Sequence, residues 1–263
     1  MCKLIFLLSI FTYSTWSRPS ADRDVAPCLK AFFIAVYNGT YNCTSGFDFT
    51  SENSTIQRKA FTSGKSCFLE VVESECSNVQ YEELIFEFDY FVEVLTTKPS
   101  DEDDCENPYY QFSGQKCLAI LINLSKKSAE LYPIEMKIND SRVLTLIDQC
   151  EEVQRCIKSP CLSTPEVQSV VSGACERVNM KNSEFITCQF QLDRTPKDKL
   201  NFTCLDDFDF FGNTLETEKL KFSTKKECTK EVMEKICGKS AVEKFDFYAD
   251  IMMKSIESIE TDD

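Results

Sequence analysis

The chain contains no histidine, and this absence removes several kinds of catalytic site. Ser-His-Asp and Cys-His nucleophile systems, HExxH zinc sites and histidine-dependent secreted phospholipase chemistry all need an imidazole. The seven glycines form no phosphate-cradling run, which excludes dinucleotide-binding and P-loop motifs. The single tryptophan, Trp16, lies within the first 17 residues, so a sugar-stacking platform would have to use tyrosine or phenylalanine.

Basic residues and long apolar runs are also scarce. The chain has 29 lysines and arginines and 43 acids, which gives a net charge of -14. Nucleic acid and anionic membrane surfaces attract a basic footprint, so we expect neither as a partner. Beyond the N-terminal segment no stretch approaches the roughly 18 apolar residues of a spanning helix, and residues 256–263 end in acids. We therefore expect no membrane span and no lipid anchor.

The first residues have the pattern of a secretory signal. Met1 and Lys3 precede the apolar stretch 4–13, and small residues follow up to Ser17. A positive start, a short apolar region and small residues at its exit are typical of a signal peptide. We predict a signal peptide over residues 1–17, cleaved after Ser17, and a secreted, extracellular product.

Cysteine is abundant, with fifteen residues in the chain. Cys2 would leave with the signal, and fourteen cysteines in an oxidising compartment predict up to seven disulfides. Zinc is a poor alternative, because the shortest gap is Cys156 to Cys161 and no histidine is present. The predicted disulfide cysteines are Cys28, Cys43, Cys67, Cys76, Cys105, Cys117, Cys150, Cys156, Cys161, Cys175, Cys188, Cys204, Cys228 and Cys237.

Asn-x-Ser/Thr sequons occur six times, and a chain in the secretory path can carry glycans on them. Asn42 is the least favoured of them, because a cysteine occupies the middle of its sequon. The predicted acceptors are Asn38, Asn42, Asn53, Asn123, Asn139 and Asn201.

A duplicated unit is the most informative feature. The cysteines from Cys28 to Cys76 are spaced 15, 24 and 9 apart, and those from Cys188 to Cys237 are spaced 16, 24 and 9 apart. The side chains between them also match, as in Phe47-Asp48-Phe49 and Phe208-Asp209-Phe210. Such agreement indicates an internal repeat. We predict a half-copy module over 18–95, a polar linker over 96–104 and a complete module over 105–263.

Helical periodicity dominates both modules. Thr164 before Pro165, the pair Thr224 and Glu227, and Gly238 have the pattern of helix caps. Apolar residues and cysteines recur every three or four positions in 84–95, 117–124, 143–157 and 241–252. The predicted fold class is all-α, with small disulfide-stapled helical bundles in tandem.

Helix geometry restricts the disulfide pairing. Nine residues on one helix place Cys67 and Cys76 about 13.5 Å apart along the axis and on opposite faces. A disulfide needs Cα atoms within roughly 7 Å, so these two cysteines cannot pair. Two pairings remain, Cys28–Cys67 with Cys43–Cys76, or Cys28–Cys76 with Cys43–Cys67, and the same choice applies to the second repeat.

The cysteine pattern from Leu146 onward resembles the nematode secreted family called domain of unknown function nineteen. The matching run is Leu146-x3-Cys150-x5-Cys156-x4-Cys161, then Cys175, Phe185-x2-Cys188, Cys204, Cys228, Cys237-Gly238 and Phe245. The resemblance covers about 105 to 250, and 28 to 95 is similar to the second half of the family pattern. Gln191 departs from the lysine expected there, and the first copy lacks its first half. The resemblance implies a secreted, cysteine-rich helical module with no assigned activity or functional residues.

One metal motif nearly matches. Asp207, Asp209, Gly212 and Glu218 occupy positions 1, 3, 6 and 12 of a calcium loop. Phe211 stands at position 5, where an oxygen ligand belongs, and the first repeat retains only the equivalent of Asp209. We therefore predict no metal site and no cofactor. No two of the 43 acids are marked out as a catalytic pair, so we also expect no enzyme activity.

Two functional hypotheses remain. The leading one is a non-enzymatic extracellular interaction module whose partner is an unknown extracellular protein. The alternative is an extracellular carrier in which the bundle, rich in phenylalanine, encloses a small apolar ligand. Helical spacing of the 21 phenylalanines favours core packing over a ligand-lining set.

Overall fold

A computed structural model describes residues 24–100, 104–132, 134–196, 202–212 and 214–260. The predicted signal peptide, residues 101–103 of the predicted linker and the sequon asparagine Asn201 lie outside these ranges. The described residues form twelve α-helices and no strand, and the chain holds seven disulfides. The predicted all-α fold with disulfide staples is confirmed.

The helices follow one another with short connections, three of which contain 3₁₀ turns. These turns are Asn42–Gly46, Thr203–Leu205 and Lys239–Val242. The α-helices are α1 (Ala26–Asn38), α2 (Ser54–Ser63), α3 (Lys65–Glu75), α4 (Asn78–Phe86), α5 (Phe88–Thr96), α6 (Pro108–Leu131), α7 (Ser141–Cys156), α8 (Pro165–Lys181), α9 (Glu184–Asp193), α10 (Leu215–Phe222), α11 (Lys226–Cys237) and α12 (Phe245–Glu260). Among the described helices, none combines the length and the hydropathy needed to cross a bilayer.

The chain divides into two compact units. Of the described residues, the first unit contains 24–129 and 149–169, and the second contains 130–148 and 170–260, each with the gaps given above. Helix α5, which precedes the predicted linker, and most of α6, which follows it, belong to the first unit. The compact units therefore differ from the modules that the cysteine repeat predicts.

Local sequence explains several helix ends. Asn53 caps α2 by accepting hydrogen bonds from the amides of Thr55 at 3.0 Å and Ile56 at 3.3 Å. Ser77 and Gln80 form a capping box at the start of α4. Thr164 caps α8 as predicted, because its hydroxyl accepts from the Val167 amide at 3.4 Å. These side chains satisfy backbone donors that have no partner inside the helix.

Two local predictions were wrong, and a third, the cap at Gly238, is correct in position but not in its full backbone conformation, since Gly238 ends α11 with its amide bonded to the carbonyl of Glu234. The pattern over 84–95 predicts one helix, but the helix is interrupted at Glu87. This interruption lets α5 turn its own apolar face to the core. Thr224 is not a cap, because the amides of Lys225 and Lys226 bond back to Leu220 and Ser223 in a turn, and α11 begins only at Lys226. Gly238 has a positive φ of 91°, but its ψ of 174° lies outside the left-handed helical region.

The two repeats fold alike. In order, α1, the turn Asn42–Gly46, α2 and α3 correspond to α9, the turn Thr203–Leu205, α10 and α11. Cys28 pairs with Cys76 and Cys43 with Cys67 in the first repeat, and Cys188 pairs with Cys237 and Cys204 with Cys228 in the second. Both repeats therefore have the nested pairing of the two that the sequence left open.

Three further disulfides complete the seven. Cys105 pairs with Cys161 and Cys117 with Cys156, with Cα atoms 4.9 Å and 5.6 Å apart. Cys150 and Cys175 are disulfide-bonded as well. All fourteen cysteines after Cys2 are thus oxidised, which leaves no free thiol among the described residues.

Phenylalanine fills the core of each unit. In the first, the Phe32 ring lies 4.8 Å from Phe68 and 5.2 Å from Phe49, measured between ring centroids, and all three side chains are fully buried. In the second, Phe185 packs 5.8 Å from Phe245 in the same edge-to-face manner. Aromatic edge-to-face pairs add to the stabilisation from apolar burial. These rings pack against each other.

Candidate functional site

A polar cleft of about 660 Å³ opens in the first unit. Its walls come from α2, the end of α5, α6, the end of α7 and the loop 158–162. The lining includes the cations Lys98, Lys116, Arg155 and Lys158 and the acids Glu52 and Glu152. In a chain of net charge -14, this is a local concentration of positive charge.

Lys116 is the most buried cation of this cleft, with 8% of its surface exposed. Its Nζ donates a hydrogen bond to the backbone carbonyl of Thr50 at 2.8 Å. Burial lowers the pKa of the Lys116 ammonium, and the negative charges of Glu152, Glu52 and Asp48 oppose that shift. A buried lysine held by a carbonyl and nearby acids stabilises the loop that carries Thr50.

Three other charged groups of the cleft, Glu52, Glu152 and Arg155, also have partners. Glu152 accepts a hydrogen bond from the hydroxyl of Tyr37 at 2.7 Å. Burial, reinforced by the charge of Glu152, raises the pKa of Tyr37 well above its ordinary value of 10.0. Arg155 pairs with Glu52 at 2.7 Å and with Glu151 at 3.6 Å. The cleft is therefore a largely self-compensated polar network, and nothing in it marks a nucleophile.

A second cleft, of about 580 Å³, lies in the second unit beside the segment that resembles a calcium loop. Its lining includes Phe211, Glu218 and Lys221. The carboxylate of Glu218 accepts a hydrogen bond from Lys221 at 2.5 Å, so a lysine occupies the oxygen that a calcium ion would need. Within the described residues, no three acids or cysteines converge in a way that could hold a metal ion.

The sequon asparagines fall into two environments. Asn38, Asn42, Asn53 and Asn139 are exposed. Asn123, in the middle of α6, has only 2% of its surface exposed. Its Nδ2, the atom to which a glycan would be joined, donates a hydrogen bond to Oδ1 of Asn38 at 2.6 Å. This packing leaves no room for a glycan on Asn123 in the folded protein.

An apolar surface is exposed on α4 and α5 of the first unit. We define the α4–α5 surface as the exposed side chains Val79, Ile85, Phe86 and Tyr90 together with the exposed acids Glu82, Glu87 and Asp89. Phe86 is 84% exposed and Tyr90 is 56% exposed. Exposed aromatic side chains grouped in this way mark interaction sites more often than single exposed apolar residues do.

The second repeat exposes an aromatic ring at the matching position. Phe88-Asp89-Tyr90 corresponds to Phe245-Asp246-Phe247, and Phe247 is 51% exposed while Phe245 is buried. The acid beside it differs in environment, because Asp246 pairs with Lys226 at 2.6 Å and with Lys230 at 3.8 Å. The exposed ring is thus repeated, but its electrostatic surroundings are not.

Fold, repeat and disulfides together define a class: tandem disulfide-stapled helical modules. A family model described as Domain of unknown function (DUF19) matches residues 20–106 and again 105–258. These two matches cover most of the chain, so the chain belongs to this family. No curated protein and no solved structure matches the chain.

Sequence reasoning missed the polar network and the α4–α5 surface. Nothing in the sequence spacing of Lys116 or Asn123 indicates that they are buried, because their partners lie 26 or more residues away in the chain. The partly buried Glu152 likewise bonds to Tyr37, which is distant in the chain. The acidic character of the α4–α5 surface could have been predicted from the sequence, because residues 66–97 contain no lysine or arginine.

Proposed function

We propose that this protein is a secreted, N-glycosylated, non-enzymatic interaction module of the extracellular space. The observation that carries the proposal is the pair of exposed aromatic rings, Tyr90 and Phe247, at matching positions of two disulfide-stapled repeats. The helices that present these rings, α5 and α12, contain no cysteine themselves but pack into the cores that hold the bridged cysteines. The binding surface is therefore ordered when the protein folds and not when it binds. Seven disulfides are typical of proteins that function in an oxidising environment.

Carriage of a small apolar ligand is less well supported. A carrier needs an enclosed apolar cavity. Both clefts described above are lined largely by charged and hydroxyl-bearing side chains, and the phenylalanines of the cores contact one another. The exposed aromatic surfaces favour binding of a macromolecule at the outside over enclosure of a lipid.

The experiment that tests the proposal has two parts, both on protein secreted from animal cells. Solvent extraction with mass spectrometry asks whether a small molecule copurifies, and a screen against chromogenic glycosides and esters asks whether the protein turns over substrate. We expect a ligand-free protein and no turnover above a blank. A lipid present at one equivalent would favour the carrier, and turnover lost on heating would establish an enzyme.

A further inference from the structure

We propose that the α4–α5 surface binds a positively charged polypeptide segment that carries a large apolar side chain. This inference rests on the proposed function and names the chemistry of the partner. Phe86, the last residue of α4, supplies the main apolar contact, and Tyr90, in the first turn of α5, follows it four residues later in the chain. Binding sites of this kind take most of their affinity from a few aromatic contacts.

The charge around the apolar side chains selects the partner. Residues 66–97 contain eight acids and no base, whereas the matching window of the second repeat, 227–258, contains seven acids and five lysines. The eight acids are Glu70, Glu73, Glu75, Glu82, Glu83, Glu87, Asp89 and Glu93. Complementary charge steers a partner to its site and excludes partners of the wrong sign. The two repeats have thus kept the exposed ring and differ in charge.

The three acids of the α4–α5 surface have no basic partner among the described residues. In the part of the chain that the structure describes, no lysine or arginine pairs with Glu82, Glu87 or Asp89. Two bases of the first repeat have other partners. Arg58 pairs with Glu93 at 2.5 Å, and Lys65 lies 4.1 Å from the centroid of the Phe88 ring. Glu82, Glu87 and Asp89 therefore remain available to a cationic partner.

A second copy of the chain is a poorer occupant of the same surface. A twofold dimer would place each α4–α5 surface against its own copy. Glu82, Glu87 and Asp89 of one copy would then face the same acids of the other, and like charges across an interface are unfavourable. A basic segment removes this repulsion and covers Phe86 at the same time.

Two 20-residue amphipathic helical peptides test the proposal. Both carry the same leucine and phenylalanine face, and one has lysines and the other glutamates on its polar face. Titration calorimetry on the full secreted protein measures their binding at 50 and 300 mM salt. We expect the lysine peptide to bind, with affinity falling several-fold at the higher salt, and the glutamate peptide not to bind.

Matched variants show whether this binding uses the α4–α5 surface. Phe86→Ala should weaken binding of the lysine peptide about tenfold or more. Tyr132→Ala, the control at an aromatic ring that is 71% exposed and lies outside the α4–α5 surface, should leave it unchanged. Neutralising Glu82, Glu87 and Asp89 to the amides should also weaken binding about tenfold, while the same change at the exposed Glu231, Glu234 and Glu243 should have little effect. The two triple variants have equal net charge, so nonspecific attraction to an acidic protein affects both alike.

Four outcomes would overturn the proposal. These are equal binding of both peptides, no binding of either, equal loss in the Phe86 and Tyr132 variants, and a dimer in sedimentation velocity that Phe86→Ala dissociates. A glutamate peptide held through Phe86 would refute the basic partner and leave the interaction module standing. The interaction module itself is refuted only by the copurifying ligand or the turnover described above.

Discussion

The Nδ2 of Asn123 donates a hydrogen bond to the Oδ1 of Asn38 at 2.6 Å, so two sequon asparagines are each other's partners. Asn123 also accepts a hydrogen bond from Nε2 of Gln149 at 3.0 Å. The three side chains tie α1, α6 and α7 together inside the first unit. A buried amide in such a network fixes the helices relative to each other because each unmade hydrogen bond is costly.

Glycan occupancy should follow this packing. We expect Asn123 to be unmodified in the secreted protein and the exposed Asn53 to carry a glycan. Asn53 also caps α2, but the cap uses Oδ1 and leaves Nδ2 free for the sugar. Glycopeptide mass spectrometry after enzymatic deglycosylation in heavy-oxygen water reads out each site. A glycan at Asn123 in folded, fully disulfide-bonded protein would contradict the structure of α6.

The same pair of asparagines gives a stability test. Asn123→Gln should leave the glycan count unchanged and lower the free energy of unfolding by about 1–3 kcal/mol, because the longer side chain breaks a buried hydrogen-bond network. Asn53→Gln should instead remove one glycan. If both substitutions removed one glycan from the mass of the protein, Asn123 would carry a glycan and could not be buried.

The nested disulfides should contribute equally in the two repeats. Cys43–Cys67 and Cys204–Cys228 both close 24-residue separations. In the chain-entropy model, a loop of this length contributes about 3 kcal/mol by restricting the unfolded chain. We expect Cys43→Ala with Cys67→Ala, and Cys204→Ala with Cys228→Ala, to lower the free energy of unfolding by similar amounts in urea titrations. Non-reducing peptide maps of each variant confirm that the remaining disulfides are unchanged.

A marked difference between the contributions of these two disulfides to the free energy of unfolding would be informative. If one pair contributed less than about 1 kcal/mol, restriction of the unfolded chain would not explain its effect, and residual structure in the unfolded repeat would have to be invoked. A peptide map that joins Cys67 to Cys76 would contradict both the helix α3 and the nested pairing.

The sequence predicted the fold through features that act locally or repeat. Three- and four-residue periodicity fixes which residues lie on one helix face, and the cysteine spacing excludes Cys67–Cys76 without any structure. The choice between the two remaining pairings depends on how α1 packs on α3, which no local pattern contains. The break at Glu87 was missed for the same reason, because it lets Phe88 and Phe91 reach a core formed by distant helices.

The candidate site was less predictable. A charge count over 66–97 could have identified the acidic surface, but whether Phe86 is exposed depends on tertiary packing. Composition suggested that phenylalanine fills the core, and this is true of Phe32 and Phe245 and false of Phe86 and Phe247. Sequence spacing alone does not separate the two kinds of phenylalanine.

Alkaline pH should destabilise the first unit through Tyr37. Burial and the charge of Glu152 raise the pKa of Tyr37 above its ordinary value of 10.0. The folded state therefore keeps the phenolic proton while the unfolded state loses it, so the stabilisation is complete below pH 10 and is lost as pH rises further. Urea unfolding at pH 7, 9, 10 and 11 should show this decline, and Tyr37→Phe should reduce its slope.

Tyr41 provides the control. Its hydroxyl also donates to a glutamate, Glu75, at 2.7 Å, but this pair is exposed to solvent. Tyr41→Phe should leave the alkaline decline nearly unchanged. At pH 7, Tyr37→Phe should cost about 1.5–3 kcal/mol, because it removes a partly buried hydrogen bond to a charged group. If both variants behaved alike above pH 10, the burial of Tyr37 would not be the cause.

Gly64 should be intolerant of even one added methyl group. A Cβ at this position would lie 2.6 Å from the carbonyl oxygen of Ala60, 2.8 Å from Cζ of Phe49 and 2.9 Å from Cγ of Phe47. These rings belong to the core and cannot move without disturbing their neighbours. We expect Gly64→Ala to lower the free energy of unfolding by about 1–3 kcal/mol in urea titrations, the usual cost of overpacking a core.

Gly46→Ala is the matched control, since a Cβ there meets no atom within 4 Å. The backbone φ of Gly64 is -96°, which alanine adopts without strain, so its predicted loss comes from steric contact alone. Gly46→Ala should leave stability unchanged or raise it slightly by restricting the unfolded chain. Because Gly64 joins α2 to α3 directly beneath Phe47 and Phe49, a neutral Gly64→Ala would mean that the phenylalanine core is looser than its ring contacts indicate.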